Sequence, residues 1–282
     1  MELNFTKMHG IGNDYVYVNA FETRLSDPAA IARAVSPRNT GIGSDGLILI
    51  APSDRADLRM EMYNADGSRG EMCGNGIRCV GKFGYDHGLV QSREITVETD
   101  AGIKSLTLSA STGKSIDMVT VDMGEPSLEP ADLPMDSPEP MVDAPLEIDG
   151  VTHQVTCVSM GNPHCILFVP STERAPVHEL GPVVESHPLF PNRVNVEFIE
   201  VVGTAPSDHL RFRVWERGSG ETHACGTGAC AAAVAAVLTG RGQREVRIDL
   251  LGGSLDIHWR TEDNHVLMTG GATEVYSGKI IL

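Results

Sequence analysis

The sequence predicts a mixed α/β (α+β) protein made of two pseudo-symmetric domains, each a curved, barrel-like mixed β-sheet around a central helix. The first observation is a repeated motif. Cys73-Gly74-Asn75-Gly76-Ile77-Arg78-Cys79 returns 152 positions later as Cys225-Gly226-Thr227-Gly228-Ala229-Cys230, and both copies run into a helical stretch. The second is the strand before each motif: Leu58 to Asn64 matches Leu210 to Glu216 at the same offset, with the cysteine nine positions further on. The third is that other segments match in the same order. Arg244 to Ile248 follows Arg93 to Val97 at offset 151, and Met160-Gly161-Asn162 follows Ile11-Gly12-Asn13 at offset 149.

Taken in order, Leu3 to Asn19 is alternating and rich in aromatic and β-branched residues, so it reads as two strands around the turn His9 to Asp14. Ser26-Asp27-Pro28 supplies a cap and a first-turn proline for a short helix to about Val35. The tight loop Gly41 to Gly46 feeds a buried-type strand, Leu47 to Ala51. Leu58 to Tyr63 alternates as a half-buried strand should, and delivers Asn64 to the loop that ends at Cys73. Helix follows from about Gly76 to Tyr85, then strands at Ile95–Glu98, Ile103–Ser109 and Ile116–Met123. From Glu125 to Pro145, six prolines interleave with acidic residues, which reads as a linker or extended surface segment. Thereafter the pattern restarts. Ala229 to Leu238 is alanine-rich and apolar all round, so this helix is expected to be buried. The expected division is a first domain at 1–123, joined by a returning C-terminal strand at 272–282, a linker at 124–149 and a second domain at 150–271.

Composition narrows the class. The chain of 282 residues is 41% apolar and 21% charged, enough for one or two sizeable cores. A net charge of −16 and a pI near 4.9 repel phosphate backbones and anionic lipid, which argues against nucleic-acid or membrane partners. No basic-plus-apolar signal opens the chain, and no apolar run is long enough to span a bilayer. The six cysteines lack paired metal-ligand spacing and read as reduced thiols of a cytoplasmic protein. No metal site is expected. Cys79, Cys157, Cys165 and Cys230 read as small buried hydrophobes.

Cys73 and Cys225 are different. Each stands at a helix N-terminus, where unpaired N–H groups and the helix dipole favour an anion, so each thiol is expected to have a lowered pKa. Two such thiols, one per half, suit a pair of opposed acid–base groups. A planar intermediate between them can lose a proton from one face and regain it on the other, which inverts a carbon. Removing a proton α to a carboxylate requires stabilising the charge that develops. Gly74-Asn75 and Gly226-Thr227 offer backbone N–H donors for a substrate carboxylate. No phosphate-binding or dinucleotide-binding loop appears, so no cofactor is expected. Asn13, Asn64, Asn162 and Asn195 read equally well as turn residues. His164, Glu216 and Arg217, taken singly, read as structural or solvated groups at strand ends. A thiol–disulfide redox protein would also use Cys73 and Cys225, and an amino acid-binding module would use the cleft without explaining the thiols.

The same residues resemble the diaminopimelate epimerase family. The resemblance is carried by Gly10 to Tyr15, Tyr63 to Ser68, Met72 to Cys79, Gly161 to His164, Asn192 to Phe198, Trp215 to Thr222 and Ala224 to Gly228, in order along essentially the whole chain. It implies the fold of that family and interconversion of LL- and meso-2,6-diaminopimelate, for lysine and peptidoglycan precursors. By resemblance, Cys73 and Cys225 are the acid–base pair, and Asn13, Asn64, Asn162, Asn195, Glu216 and Arg217 bind substrate with Gly74, Asn75, Gly226 and Thr227. It also implies that His164 and Glu216 tune the thiols, and that the protein is a homodimer with Tyr276 near the contact. Arg217 suits a carboxylate, and the asparagines can donate and accept. Gly46, Gly271 and His223 depart from the family pattern. Proline racemases and hydroxyproline epimerases resemble Met-Cys-Gly-His-Gly at the first cysteine, where this chain has Asn75.

Overall fold

The computed structural model describes every residue except Met1, Thr112 and Lys114. The elements of the first half are β1 (Glu2–Gly10), β2 (Asn13–Asn19), α1 (Pro28–Val35), β3 (Gly46–Ala51), β4 (Leu58–Asn64), β5 (Arg69–Gly70), α2 (Gly74–Asp86), β6 (Glu94–Thr99), β7 (Gly102–Ser109) and β8 (Met118–Asp122). The second half continues with β9 (Ala144–Ile148), β10 (Val151–Ser159), β11 (Pro163–Phe168), α3 (Val177–Glu185), β12 (Asn195–Val201), β13 (Ser207–Glu216), β14 (Gly220–Glu221), α4 (Gly226–Leu238), β15 (Gly242–Leu250), β16 (Gly253–Trp259), β17 (Val266–Gly271) and β18 (Thr273–Ile281). The chain forms two compact units, one of Met1–Asp122 with Thr269–Leu282 and one of Met123–Met268.

In the first unit the strands lie side by side in the order β18, β1, β2, β3, β4, β6, β7, β8. Pairs β2/β3 and β4/β6 are parallel, and the others are antiparallel. The parallel pairs follow from the helices, because α1 and α2 each carry the chain back before the next strand. Val16, Val18, Leu47 and Leu49 pack with Ile31, Ala32 and Val35 of α1. The alternate residues face α2: Tyr17 donates its hydroxyl to the Gly76 carbonyl at 3.3 Å, and Ile48 and Met60 crowd Gly76. Covered on both faces, β3 has to be a continuous apolar run, and Gly46 to Ile50 is buried throughout. Helix α2 touches β1, β2, β3, β4, β6, β7, β8 and β18, so the sheet curls around it.

The second unit repeats the plan with β9, β10, β11, β12, β13, β15 and β16 in order, and β11/β12 and β13/β15 parallel. Helix α4 lies against β10, β11, β12, β15 and β16, and Ala229 to Ala236 are buried. Helix α3 covers the other face, where Val177 and Val184 join Cys157, Cys165, Val196 and Phe198. The sequence does not announce α3, because Pro182 lies inside it and breaks the helical signature.

Two boundaries need correction. The stretch 124–149 is not a linker: Leu133, Met135, Met141, Leu146 and Ile148 are buried in the α3-side core, and β9 pairs with β10. The prolines set extended backbone and turns, but the apolar residues between them find a core to enter. Helix α2 begins at Gly74 rather than Gly76, since two glycines of weak helical propensity form its first turn.

Candidate active site

In the first unit, Cys73 ends an extended segment and caps α2, at φ −135° and ψ 114°. Its sulfur accepts a hydrogen bond from the Gly76 N–H at 3.3 Å, the N-cap geometry expected of an acceptor three residues before a helical amide. The thiol donates to Asn13 Oδ1 at 3.2 Å. Asn13 cannot turn over, because its Nδ2 donates at 2.8 Å to Asp45 Oδ2, a group that only accepts. Asp45 is held in turn by the Asp14 N–H at 3.1 Å and by Arg38 at 2.8 Å. Tyr15 is buried beside this network, and burial, the Cys73 sulfur and Asp45 all push its pKa up.

Asn64 ends β4, with Nδ2 donating to Ser68 Oγ at 3.0 Å. Gly74 and Asn75 form the first turn of α2. The Asn75 side chain is buried, its Oδ1 accepting from the fully buried Arg78 at 3.0 Å. Arg78 also donates to the Gly74 carbonyl at 3.1 Å and to the Gly271 carbonyl at 3.2 Å. At Gly46, a Cβ would stand 2.1 Å from the Tyr63 carbonyl oxygen, so any side chain there would require the backbone to move. Tyr276 stands apart on β18, exposed, with its ring edge-on to Phe5 at 5.9 Å.

In the second unit, Cys225 caps α4 at φ −119° and ψ 107° and is buried. The thiol lies 3.6 Å from the Thr227 hydroxyl. The lowered pKa expected of this thiol is not found. Burial raises it well above the ordinary thiol value, and the neighbouring carboxylates Glu216 and Glu197 raise it further. The Thr227 hydroxyl and the Gly228 N–H act the other way but do not win. A helix N-terminus stabilises an anion modestly, whereas desolvation and two acids within one site oppose it more strongly. Burial likewise raises the pKa of Glu216, whose Oε1 accepts from the Thr222 hydroxyl.

His164 and Glu197 are both fully buried, with Nδ1 and Oε1 2.6 Å apart. The other ring nitrogen of His164, Nε2, lies 3.1 Å from Asn162 Oδ1. Asn195 is committed to the protein at both ends: Nδ2 donates to the Pro163 carbonyl and Oδ1 accepts the Arg217 N–H, each at 2.9 Å. It fixes the loop that carries Arg217, whose guanidinium is exposed and donates to the Asn192 carbonyl at 3.3 Å. Glu185 braces the same loop, accepting from Trp215 Nε1 at 2.8 Å and the Gly218 N–H at 2.9 Å.

Of the residues singled out from sequence, the structure brings Asn13 onto Cys73 and Thr227 and Glu216 beside Cys225, whereas Tyr276 stands apart on β18. Sequence reasoning missed Asp45, Tyr15, Glu185 and Glu197. The last had a readable signal, an acid inside the otherwise apolar run Val194 to Ile199. Among the described residues, no group of three or more His, Cys, Asp or Glu side chains is arranged to hold a metal ion.

The sequence matches the family described as diaminopimelate epimerase over residues 5–129 and 156–275. The chain belongs to the diaminopimelate epimerase family. It is 53% identical over 281 residues to the diaminopimelate epimerase of Acetivibrio thermocellus, with 99% of each chain covered. The corresponding protein of Moorella thermoacetica is 54% identical over 278 residues, with 98% of each covered. That of Methanococcus maripaludis is 50% identical over 279 residues, with 99% of each covered. Among solved structures, a Bacillus anthracis phenazine biosynthesis protein of the PhzF family superposes with a TM-score of 0.71 at 16% identity, over all of both chains. A probable proline racemase from Agrobacterium radiobacter gives 0.69 at 15% identity, covering 99% of this chain and 93% of its own. At such identities these two show a shared fold.

Proposed function

We propose that this protein is a cofactor-independent isomerase that interconverts LL- and meso-2,6-diaminopimelate, a step towards lysine and peptidoglycan precursors. The observation that carries the reading is identity of about half over nearly the full length to diaminopimelate epimerases, with a cysteine capping the central helix of each unit. In this reading Cys73 and Cys225 are the acid–base pair. One sulfur, as thiolate, removes the proton from the carbon α to the substrate carboxylate, and the other, as thiol, protonates that carbon on the opposite face. The raised pKa of Cys225 favours its thiol form in the free protein, and the two sulfurs exchange roles between the two directions of the reaction.

The amides of Gly74, Asn75, Gly226 and Thr227, at the two helix N-termini, stabilise negative charge as it develops on the carboxylate. Asn13, Asn64, Asn162, Asn195, Glu216 and Arg217 read the two amino acid ends of the substrate. Asn195 does so through the loop it fixes. Glu216 and His164 set the proton affinity of the second thiol. The protein works as a cytoplasmic homodimer with Tyr276 near the contact. No helix among the described residues is long and apolar enough to cross a membrane. Light scattering coupled to size exclusion reads the dimer, and Tyr276→Glu is expected to shift it towards monomer.

Reduced protein incubated with LL-diaminopimelate in D₂O tests the chemistry. Deuterium at the α-carbon together with meso product, both lost in Cys73→Ala and Cys225→Ala, is the expected result. Exchange into proline or 4-hydroxyproline instead would move the substrate assignment to the fold-mates. No exchange with any of them would sink the epimerase reading.

A further inference from the structure

The two units differ beneath their cysteines. At the offset of 149, His164 corresponds to Tyr15, Glu197 to Ile48 and Asn162 to Asn13, and the registers of β2/β3 and β11/β12 agree with this pairing. Ile48 packs against Gly76 in the first unit, and Glu197 packs against Gly228 in the second. An apolar position has thus become a carboxyl group, buried on a strand covered on both faces. Its Oε2 has no hydrogen-bond partner among the described residues. Such a group is costly, and its place one layer below a cysteine calls for a reason.

We infer that Glu197 is a positioning residue, one that keeps two protons on the His164–Glu197 dyad and thereby fixes the amide of Asn162 with its carbonyl toward the imidazole and its amino group free for substrate. The inference rests on the functional reading above for the role of Asn162, and on geometry for the rest. Two protonation states compete. With one proton, Glu197 is a carboxylate and His164 carries its hydrogen on Nδ1. The fully buried pair then has net negative charge, and the bare Nε2 faces the Asn162 oxygen at 3.1 Å, acceptor against acceptor. With two protons, one is shared between Oε1 and Nδ1 across 2.6 Å and the other sits on Nε2 and donates to Asn162 Oδ1. The pair is then neutral overall and every contact joins a donor to an acceptor, so this state wins.

The groups facing the dyad act in the same sense. Glu216 at the end of β13, Cys225 at the head of α4 and Cys165 on β11 are all acids, and none is a cation that would favour losing the second proton. Burial also pushes the Glu197 pKa up. The contrast with Asn13 explains why the first unit needs no such dyad. There Asp45, an obligate acceptor, captures the amino end and turns the carbonyl toward Cys73. The same residue type is thus oriented in opposite senses by different partners.

The test uses full-length protein labelled with ¹⁵N in histidine, with the His164 ring signals assigned by their loss in His164→Asn. At neutral pH, Nε2 of His164 is expected to carry its proton in the native protein and in Glu197→Gln, whose amide can donate to Nδ1. In Glu197→Val that preference is expected to disappear. With LL-diaminopimelate, Glu197→Val is expected to raise KM by about tenfold or more with a smaller loss in kcat, while Glu197→Gln stays within about threefold of the native protein. A bare Nε2 in the native protein would overturn the inference without any variant having to fold. So would a Glu197→Val protein with unchanged KM, or a Glu197→Gln protein as impaired as Glu197→Val. The ring shifts are read without substrate, so failure of the native protein to turn over diaminopimelate would count against the functional reading alone.

Discussion

Cys225 is a thiol at the positive end of a helix that nevertheless holds its proton. Burial comes first among the causes, and the Glu216 carboxylate second. The sign of the resulting pH dependence follows directly. A raised pKa means that thiolate appears only at higher pH than for a free thiol, whose pKa is about 8.5. Alkylation of Cys225 by iodoacetamide should therefore lag that of an ordinary cysteine as pH is raised. Replacing Glu216 with glutamine removes the nearest opposing carboxylate and should speed alkylation at neutral pH. Mass spectrometry of the peptide containing Cys225 reads the rate. An unchanged rate would mean that burial alone sets this thiol.

Helix α4 and the β13 end show how elements serve the site. Alanine is a better helix former than glycine by ~1 kcal/mol, so Gly228→Ala would stabilise an isolated α4. In the folded protein a Cβ there would stand 2.8 Å from Glu197 Oε1, 3.1 Å from Phe212 and 3.2 Å from the Cys225 sulfur. Crowding is expected to win, with a net loss of about 1–3 kcal/mol in denaturant unfolding and a loss of epimerase activity. A stabilised variant would show that the strand can give way. The loop after β13 hangs on Glu185, which has little exposure and accepts from Trp215, Gly218 and Arg193. Glu185→Ala leaves the Trp215 N–H and the Gly218 N–H without their acceptor. It should lower stability by about 1–3 kcal/mol and raise KM through Arg217, with the two cysteines' alkylation rates unchanged. A KM equal to that of the native protein would separate Arg217 from this brace.

Over the whole molecule, the first unit is closed by the last residues of the chain. Strand β18 pairs with β1 from Glu2↔Ile281 to His9↔Thr273, and Ile280 packs against the cluster that holds Leu3 and Phe5. Truncation after Ala272 would strip β1 of that partner and open this cluster. Hydrogen exchange should then quicken in β1, β2 and β3, with α4 and β12 of the second unit protected as before. Equal loss of protection in both units would show that they unfold as one.

What the sequence alone determined lies in spacing. Helices, alternating strands and caps are local, so the repeat at 152 was legible along with both cysteines and the order of elements around them. The resemblance to a family added the residues proposed to bind substrate. Tertiary structure decided what depends on neighbours distant in the chain. The proline-rich stretch 124–149 became core because α3 and β10 offer apolar surface that no local pattern records. The proton affinity of Cys225 was raised rather than lowered because folding buries the thiol and then brings Glu216 and Glu197 beside it from β13 and β12. Asn13 and Asn162, alike in sequence, are oriented oppositely by Asp45 and His164. A pKa or an amide orientation is set by the charges and hydrogen-bonding groups within a few ångströms, and those are gathered only when the chain has folded.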